Sequence, residues 1–116
     1  MRTNFINQLI EEARHNDKIF LLVGDLGYHV IEPFAEEFPD RFLNVGIAEQ
    51  NMTGIAAGLA MSGYNVYTYS IGNFPTLRCL EQIRNDIAYH KANVKVVSVG
   101  AGYAYGSLGA THQATE

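Results

Sequence analysis

The sequence predicts an α/β fold, a parallel sheet with helices on both faces. Three observations lead there. Short apolar runs of strand length alternate with stretches in which apolar residues recur every three or four positions. The run Ile19-Phe20-Leu21-Leu22-Val23 is apolar throughout and stops at Gly24, as a strand buried on both faces should. Three strands run into unusual loops: Gly24-Asp25-Leu26-Gly27, Val45-Gly46-Ile47-Ala48-Glu49 and Gly100–Thr115. In parallel sheets these loops share one edge, and ligands bind there, beyond the carboxyl ends of the strands.

The elements follow in order. Phe5, Ile6, Leu9, Ile10 and Ala13 repeat at helical spacing, so Arg2–His15 is predicted as an amphipathic helix, broken at Asn16-Asp17. The strand Ile19–Val23 comes next. Ile31–Glu37 reads as a short helix ended near Pro39, and Arg41–Val45 as a second short strand. Ala48–Met61 reads as a helix with Met52, Ile55, Ala56 and Leu59 on one face. Asn65–Ser70 is a strand. Leu77–His90 is predicted as a helix whose apolar face is Leu77, Leu80, Ile83 and Ile87. Val94–Val99 is the last strand. The tail Gly100–Glu116 is rich in Gly, Ala and Tyr and has no clear period. It shows no closing helix, so residues 1–116 are expected to be one domain truncated at its C-terminus.

Composition narrows the function classes. Hydrophobic residues make up 47% and charged residues 17%, which argues against disorder. A net charge of −4 with scattered Lys and Arg argues against nucleic-acid binding. The single cysteine, Cys79, excludes an internal disulfide and a cysteine-rich metal site. Met1–Glu12 lacks the apolar stretch of a signal peptide. No apolar run approaches the roughly 20 residues that span a bilayer. A cytoplasmic protein without membrane contact is the expectation.

The chemistry centres on Phe42–Met52, FLNVGIAEQNM, a short strand that runs through a glycine into a helix, with Glu49 at the join. Periodicity alone allows a plain reading: an acidic residue in the first turn complements the helix dipole. Against it, Val45, Gly46, Ile47 and Ala48 offer little to solvate a carboxylate. A carboxylate in such a place costs free energy unless something hydrogen-bonds it. Partly buried carboxyls in general titrate above their ordinary range and can share a proton with a ring nitrogen.

Other positions leave alternatives open on residue chemistry alone. Asp25 is a turn aspartate between two glycines, in a loop too short for a phosphate fingerprint. Tyr69, Phe74 and Arg78 lie at or beyond the end of Asn65–Ser70, where aromatics serve as core, rim or ligand platform. Arg78 also reads as a helix-surface arginine. His112, in GATHQ, is a lone histidine that spacing does not single out. Gly100, Gly102 and Gly106 have the wrong final spacing for a dinucleotide fingerprint. His15, His29 and His90 lack metal-ligand spacing, and His90 suits a helix C-terminus. Cys79 reads as a packing residue. Gly54 and Gly58, one turn apart, leave a helix face free of side chains. Such a face suits close packing, within the domain or across an interface.

GIAEQNM followed by GIAAGLAMSGY resembles the pyrimidine-binding domain of the transketolase and 1-deoxyxylulose-5-phosphate synthase group. LLVGDLG at Leu21–Gly27, FPDRFLNVGIAEQNM at Phe38–Met52, EQIRND at Glu81–Asp86 and THQ at Thr111–Gln113 fall in that family's order and spacing. The resemblance covers nearly the whole chain. It is nearest to the short transketolase C-terminal sections, in which the enzyme is divided over two chains. A complete domain of this kind is longer, which implies further sequence after Glu116. The EQIRND motif and the domain's early start at Met1 favour a transketolase. A fragment of 1-deoxyxylulose-5-phosphate synthase is the near alternative. A non-catalytic scaffold that kept the fold is the distant one.

What the resemblance implies is specific. In this family a glutamate hydrogen-bonds N1′ of the aminopyrimidine of thiamine diphosphate and favours the imino tautomer. The imino nitrogen then removes the proton from thiazolium C2, and the resulting carbanion attacks a ketose carbonyl. Glu49 matches that glutamate. Asp25 matches an aspartate that supports cofactor binding at the subunit interface. Phe74 matches the ring that packs on the pyrimidine. Tyr69 and Arg78 fall beside it after a one-residue shift. His112 matches the substrate-facing histidine of a DGPTH motif, where proton shuttling is needed. Two residues depart from that motif: Leu108 stands where the family has an acidic residue, and Ala110 where it has proline. These changes put sugar-phosphate specificity in question. The family's diphosphate-binding GDG…N motif is absent, since the only Gly-Asp pair, Gly24-Asp25, is followed by Leu26. Mg²⁺ and diphosphate are therefore expected on a partner domain or N-terminal subunit, with no metal ligand in this chain. The chain alone is expected to be inactive, and a homo- or hetero-oligomer acting on sugar phosphates is implied. The helix bearing Gly54 and Gly58 lies at the family's dimer interface.

Overall fold

The computed structural model describes residues 1–116. Four parallel strands form one sheet in the order β2-β1-β3-β4: β1 Ile19–Val23, β2 Phe42–Asn44, β3 Asn65–Ile71 and β4 Val94–Val99. In register, Val23 of β1 stands beside both Asn44 of β2 and Tyr69 of β3. Chain order reverses between β1 and β3: β2 is laid on one side of β1, then β3 and β4 on the other. Such a reversal leaves a crevice at the carboxyl ends of the two central strands.

Successive side chains of a strand point to opposite faces, and the core divides accordingly. Ile19, Leu21 and Val23 meet one helical layer. It comprises α1 (Arg2–His15), which contributes Ile6, Leu9, Ile10 and Ala13, and α2 (Glu32–Glu37), which contributes Phe34. Leu22 and Val66 meet α3 (Glu49–Met61) through Met52 and Ala56 on the other face. Helices on both faces explain why β1 is apolar at every position. The C-terminus of α1 is closed by Arg41, whose guanidinium donates to the carbonyls of Ala13 at 3.1 Å and Asn16 at 2.8 Å.

Two elements differ from the sequence expectation. The second strand is Phe42–Asn44, because Arg41 belongs to a 3-10 turn, Pro39–Arg41. The larger difference lies at Leu77–His90. A 3-10 turn, Leu77–Cys79, leads into α4 (Leu80–Gln82), which continues as a π-helix over Ile83–Ala88. A 3-10 turn advances faster around the axis than an α-helix, and a π-turn more slowly. A stripe counted at 3.6 residues per turn therefore loses phase. Cys79 and Ile87 are buried, whereas Leu77 and Leu80 are 45% and 63% exposed. The expected apolar face Leu77-Leu80-Ile83-Ile87 is thus corrected: its first half faces outward.

Candidate functional site

Glu49 opens α3, and the preceding Ala48 supplies no side-chain cap. The Glu49 carboxylate turns inward to the crevice between β1 and β3 and is 2% exposed. Its Oε2 accepts one hydrogen bond, from Arg78 Nη1 at 2.9 Å, and Oε1 has no partner. Gly24, at the end of β1, makes room for this. A Cβ there would lie 3.4 Å from Ser70 Oγ and 3.6 Å from Glu49 Oε1. Ser70 Oγ is also buried and without a partner, so two unpaired polar atoms flank one glycine.

The remaining groups gather above. The Arg78 guanidinium carbon lies 4.2 Å over the Phe74 ring centroid. Phe74 and His112 meet edge to face at 5.1 Å between centroids. The tail reaches this place because Gly102 and Ala114 form an antiparallel bridge, which folds residues 103–113 back over the sheet edge. Gly72 permits the close approach: its φ is +49°, and a Cβ there would stand 3.4 Å from the His112 carbonyl oxygen. Glu49, Arg78, Phe74 and His112 therefore form one continuous chain of contacts. Ile47, Ala48, Gln50 and Asn51 join Glu49 and Arg78 around a surface depression.

Asp25 lies beside this group and is tied into the loops. Its Oδ1 accepts from Asn44 Nδ2 at 2.9 Å and from the Tyr28 hydroxyl at 3.2 Å. Asn44 Oδ1 in turn accepts the backbone N–H groups of Asp25 and Gly46, each at 3.0 Å. Asn44 thus ties the loop after β1 to the loop that carries Glu49. Sequence reasoning missed both Asn44 and Ser70. The signal for Asn44 was its place two residues before a glycine, where an asparagine side chain can close a turn. Gln50, also missed, donates Nε2–H to the Arg78 carbonyl at 3.1 Å.

Tyr69 is a correction. It is completely buried on the opposite face of the sheet, packed nearly parallel to Phe5 with ring centroids 6.0 Å apart. Its neighbour Ser70, not Tyr69, points to the Glu49 side, because adjacent strand residues face opposite ways. Tyr69 is a core residue and presents no surface to a ligand. Arg78 is not a free helix-surface arginine, since it holds the buried carboxylate. Cys79 packs in the interior with its thiol donating to the Phe74 carbonyl at 3.3 Å, and burial pushes that thiol up from its ordinary pKa. Leu108, the departure from the family's motif, is exposed. No three His, Cys, Asp or Glu side chains gather as a metal-holding group, and no helix is long and apolar enough to cross a membrane.

A parallel sheet with a buried carboxylate at its topological switch point defines a class: the open α/β domains, whose ligands in general bind beyond the carboxyl ends of the strands. Comparison with known proteins is specific within that class. Residues 1–116 match the sequence profile described as transketolase, pyrimidine binding domain. A putative transketolase C-terminal section of Methanocaldococcus jannaschii is 45% identical over all of this chain and 37% of its own length. One of the subunits of the apulose-4-phosphate transketolase of Phocaeicola vulgatus is 44% identical over 96% of this chain and 36% of its own. A solved split-gene transketolase, described as an inactive beta4 tetramer, superposes with a TM-score of 0.79 at 40% identity. That superposition covers 97% of this chain and 35% of the other. The chain belongs to the transketolase pyrimidine-binding domain family. It spans little more than a third of the length of these relatives.

Proposed function

We propose that this chain forms the pyrimidine-binding part of a thiamine diphosphate-dependent, transketolase-like transferase that works with a diphosphate-binding partner. The observation that carries the reading is Glu49: a carboxylate sealed from water whose one hydrogen-bond partner is half in solvent. A buried acceptor with an unpaired oxygen suits a ligand that brings an N–H donor, and the adjacent Phe74 suits a flat heteroaromatic ring. The residues present fit the aminopyrimidine.

When bound, the cofactor supplies an electron sink for cleaving the bond beside a ketose carbonyl. This chain's residues do the rest of their work by position. Glu49 holds a hydrogen bond to the ring and sets the proton's place there. Phe74 excludes water from one ring face. Asp25 and Asn44 fix the loops that frame the ring. Arg78 compensates Glu49 while the seat is empty. His112, next to Phe74, faces the substrate and carries protons. The substrates are sugar or sugar-phosphate molecules exchanging a two-carbon ketol unit. Leu108 removes one carboxylate from the substrate side, so hydroxyl recognition there differs from the family pattern. Mg²⁺ and the diphosphate belong to the partner. The exposed Leu77 and Leu80, with the open helix face at Gly54 and Gly58, are the surface on which assembly rests.

The test is calorimetric titration of thiamine diphosphate and Mg²⁺ into the chain, alone and with a diphosphate-binding subunit. Binding only in the mixture, weakened by Glu49→Gln, is expected. Equal binding by wild type and Glu49→Gln would remove Glu49 from the site. No binding in a mixture of folded, competent chains would leave the scaffold reading.

A further inference from the structure

Arg78 makes two contacts at once. Nη1 donates to Glu49 Oε2 at 2.9 Å, and the guanidinium carbon lies over the Phe74 ring, 4.2 Å from its centroid. These are the two groups assigned above to the cofactor ring. A guanidinium is flat, delocalised and rich in N–H donors, and it stacks on aromatic faces. It therefore presents to Glu49 and Phe74 the same chemistry as an aminopyrimidine: an N–H for the carboxylate and a planar face for the ring.

We propose that Arg78 is a displaceable occupant of the aminopyrimidine seat. Its guanidinium holds Glu49 and Phe74 before the cofactor enters and swings out when the ring arrives. This inference rests on the assignment of Glu49 and Phe74 to the cofactor. The physical need is clear. A buried carboxylate without a partner is strongly destabilising, so a Glu49 that waits for its ligand requires a substitute cation. The substitute must also be able to leave. Arg78 meets both conditions: its side chain is 44% exposed, so withdrawal into water costs little, whereas Glu49 stays at 2%. Gln50 holds the Arg78 backbone carbonyl, which confines the motion to the side chain. A lysine could neutralise Glu49 but has no planar face to offer Phe74.

The experiment uses the full chain with its diphosphate-binding partner and compares wild type, Arg78→Ala, Arg78→Lys and Glu49→Gln. Thermal midpoint is read with and without thiamine diphosphate and Mg²⁺, and cofactor affinity by calorimetry. Without cofactor, Arg78→Ala is expected to melt several degrees below wild type, and with cofactor close to it. Its affinity should rise roughly fivefold to tenfold, because the ring no longer displaces a charge-assisted hydrogen bond. Arg78→Lys should fall between. Methylguanidinium at millimolar concentration should raise the midpoint of Arg78→Ala without cofactor and lose that effect once the cofactor is bound. Unchanged or weaker affinity in Arg78→Ala, with equal loss of midpoint in both states, overturns the proposal: Arg78 would then hold the ring instead of standing in for it. If Arg78→Ala does not fold, Arg78→Lys decides, tighter binding supporting the proposal and weaker binding overturning it. Loss of the Glu49→Gln effect would instead overturn the cofactor assignment itself.

Discussion

Glu49 sits where water does not reach, and its one hydrogen bond is a single N–H from a half-exposed arginine. Replacing it by glutamine removes a buried charge and keeps the shape. Glu49→Gln is expected to leave stability within about 1 kcal/mol of wild type, since the lost ion-pair hydrogen bond is offset by relief of desolvation. Turnover of the assembled enzyme is expected to fall at least about 100-fold, the scale of a positioned proton-transfer group. Denaturant melts and steady-state rates on one preparation check both. A scaffold would show the first effect without any activity to lose. Two other residues set a pH dependence. Burial pushes the Cys79 thiol and the Tyr69 phenol above their ordinary values of 9.0 and 10.0. The unfolded chain therefore sheds these protons at lower pH than the folded one, and stability falls as pH rises between the two values. Below about pH 9 neither group contributes a slope. Cys79→Ala is expected to remove the earlier part of the alkaline decline and Tyr69→Phe the later part, as read from melting midpoints between about pH 8 and 11.

At the scale of elements, α3 and the composite helix behind it carry the most information. Gly54 and Gly58 have nothing within 4 Å of where a Cβ would be. Packing inside this domain therefore does not require them, and an alanine at either place should gain helix stability of up to about 1 kcal/mol. If another helix crosses this face in the assembly, the same methyl groups will hold it off. Gly54→Ala/Gly58→Ala is expected to raise the melting midpoint of the separate chain and weaken its association. Sedimentation velocity beside thermal melts tests the pair of effects, and unchanged association would place the interface elsewhere. The change from 3-10 through α to π geometry over Leu77–Ala88 has its own consequence. It turns Arg78 toward Glu49 while Leu77 and Leu80 face solvent.

For the whole molecule, the relevant fact is how open the depression beside Glu49 is. Glu49 and Arg78 line one side of a shallow depression, and Ile47, 77% exposed, stands at its rim. Leu80, a short way along the helix from Arg78, faces outward as well. Under the proposed function, exposed apolar residues around this depression are the surface that the partner covers. Leu80→Glu is expected to leave the melting midpoint of the separate chain unchanged, because this side chain is not in the core. It should cut association with the partner by at least about tenfold, about 1.4 kcal/mol for burying a charge at an apolar contact. Cofactor binding should fall with it. Calorimetry of the partner titration measures this, and unaltered affinity would remove Leu80 from the interface. On the completed enzyme, turnover of ketose donors and not of pyruvate is the expected outcome.

Local pattern determined a good part of this protein. β1 was legible because a strand covered on both faces is apolar at every position, and α1 because its buried residues keep helical spacing. Glu49 was legible because a carboxylate after Val45-Gly46-Ile47-Ala48 is anomalous wherever it lies. Tertiary structure alone decided the rest. Val23 pairs with both Asn44 and Tyr69, and that register brings Gly24, Ser70 and Glu49 to one point. The facing of Tyr69 away from the site depends on strand phase. The pairing of Arg78 with Glu49 depends on a helix whose geometry changes along its length. These contacts join residues far apart in the chain, and no periodicity within a single element encodes them.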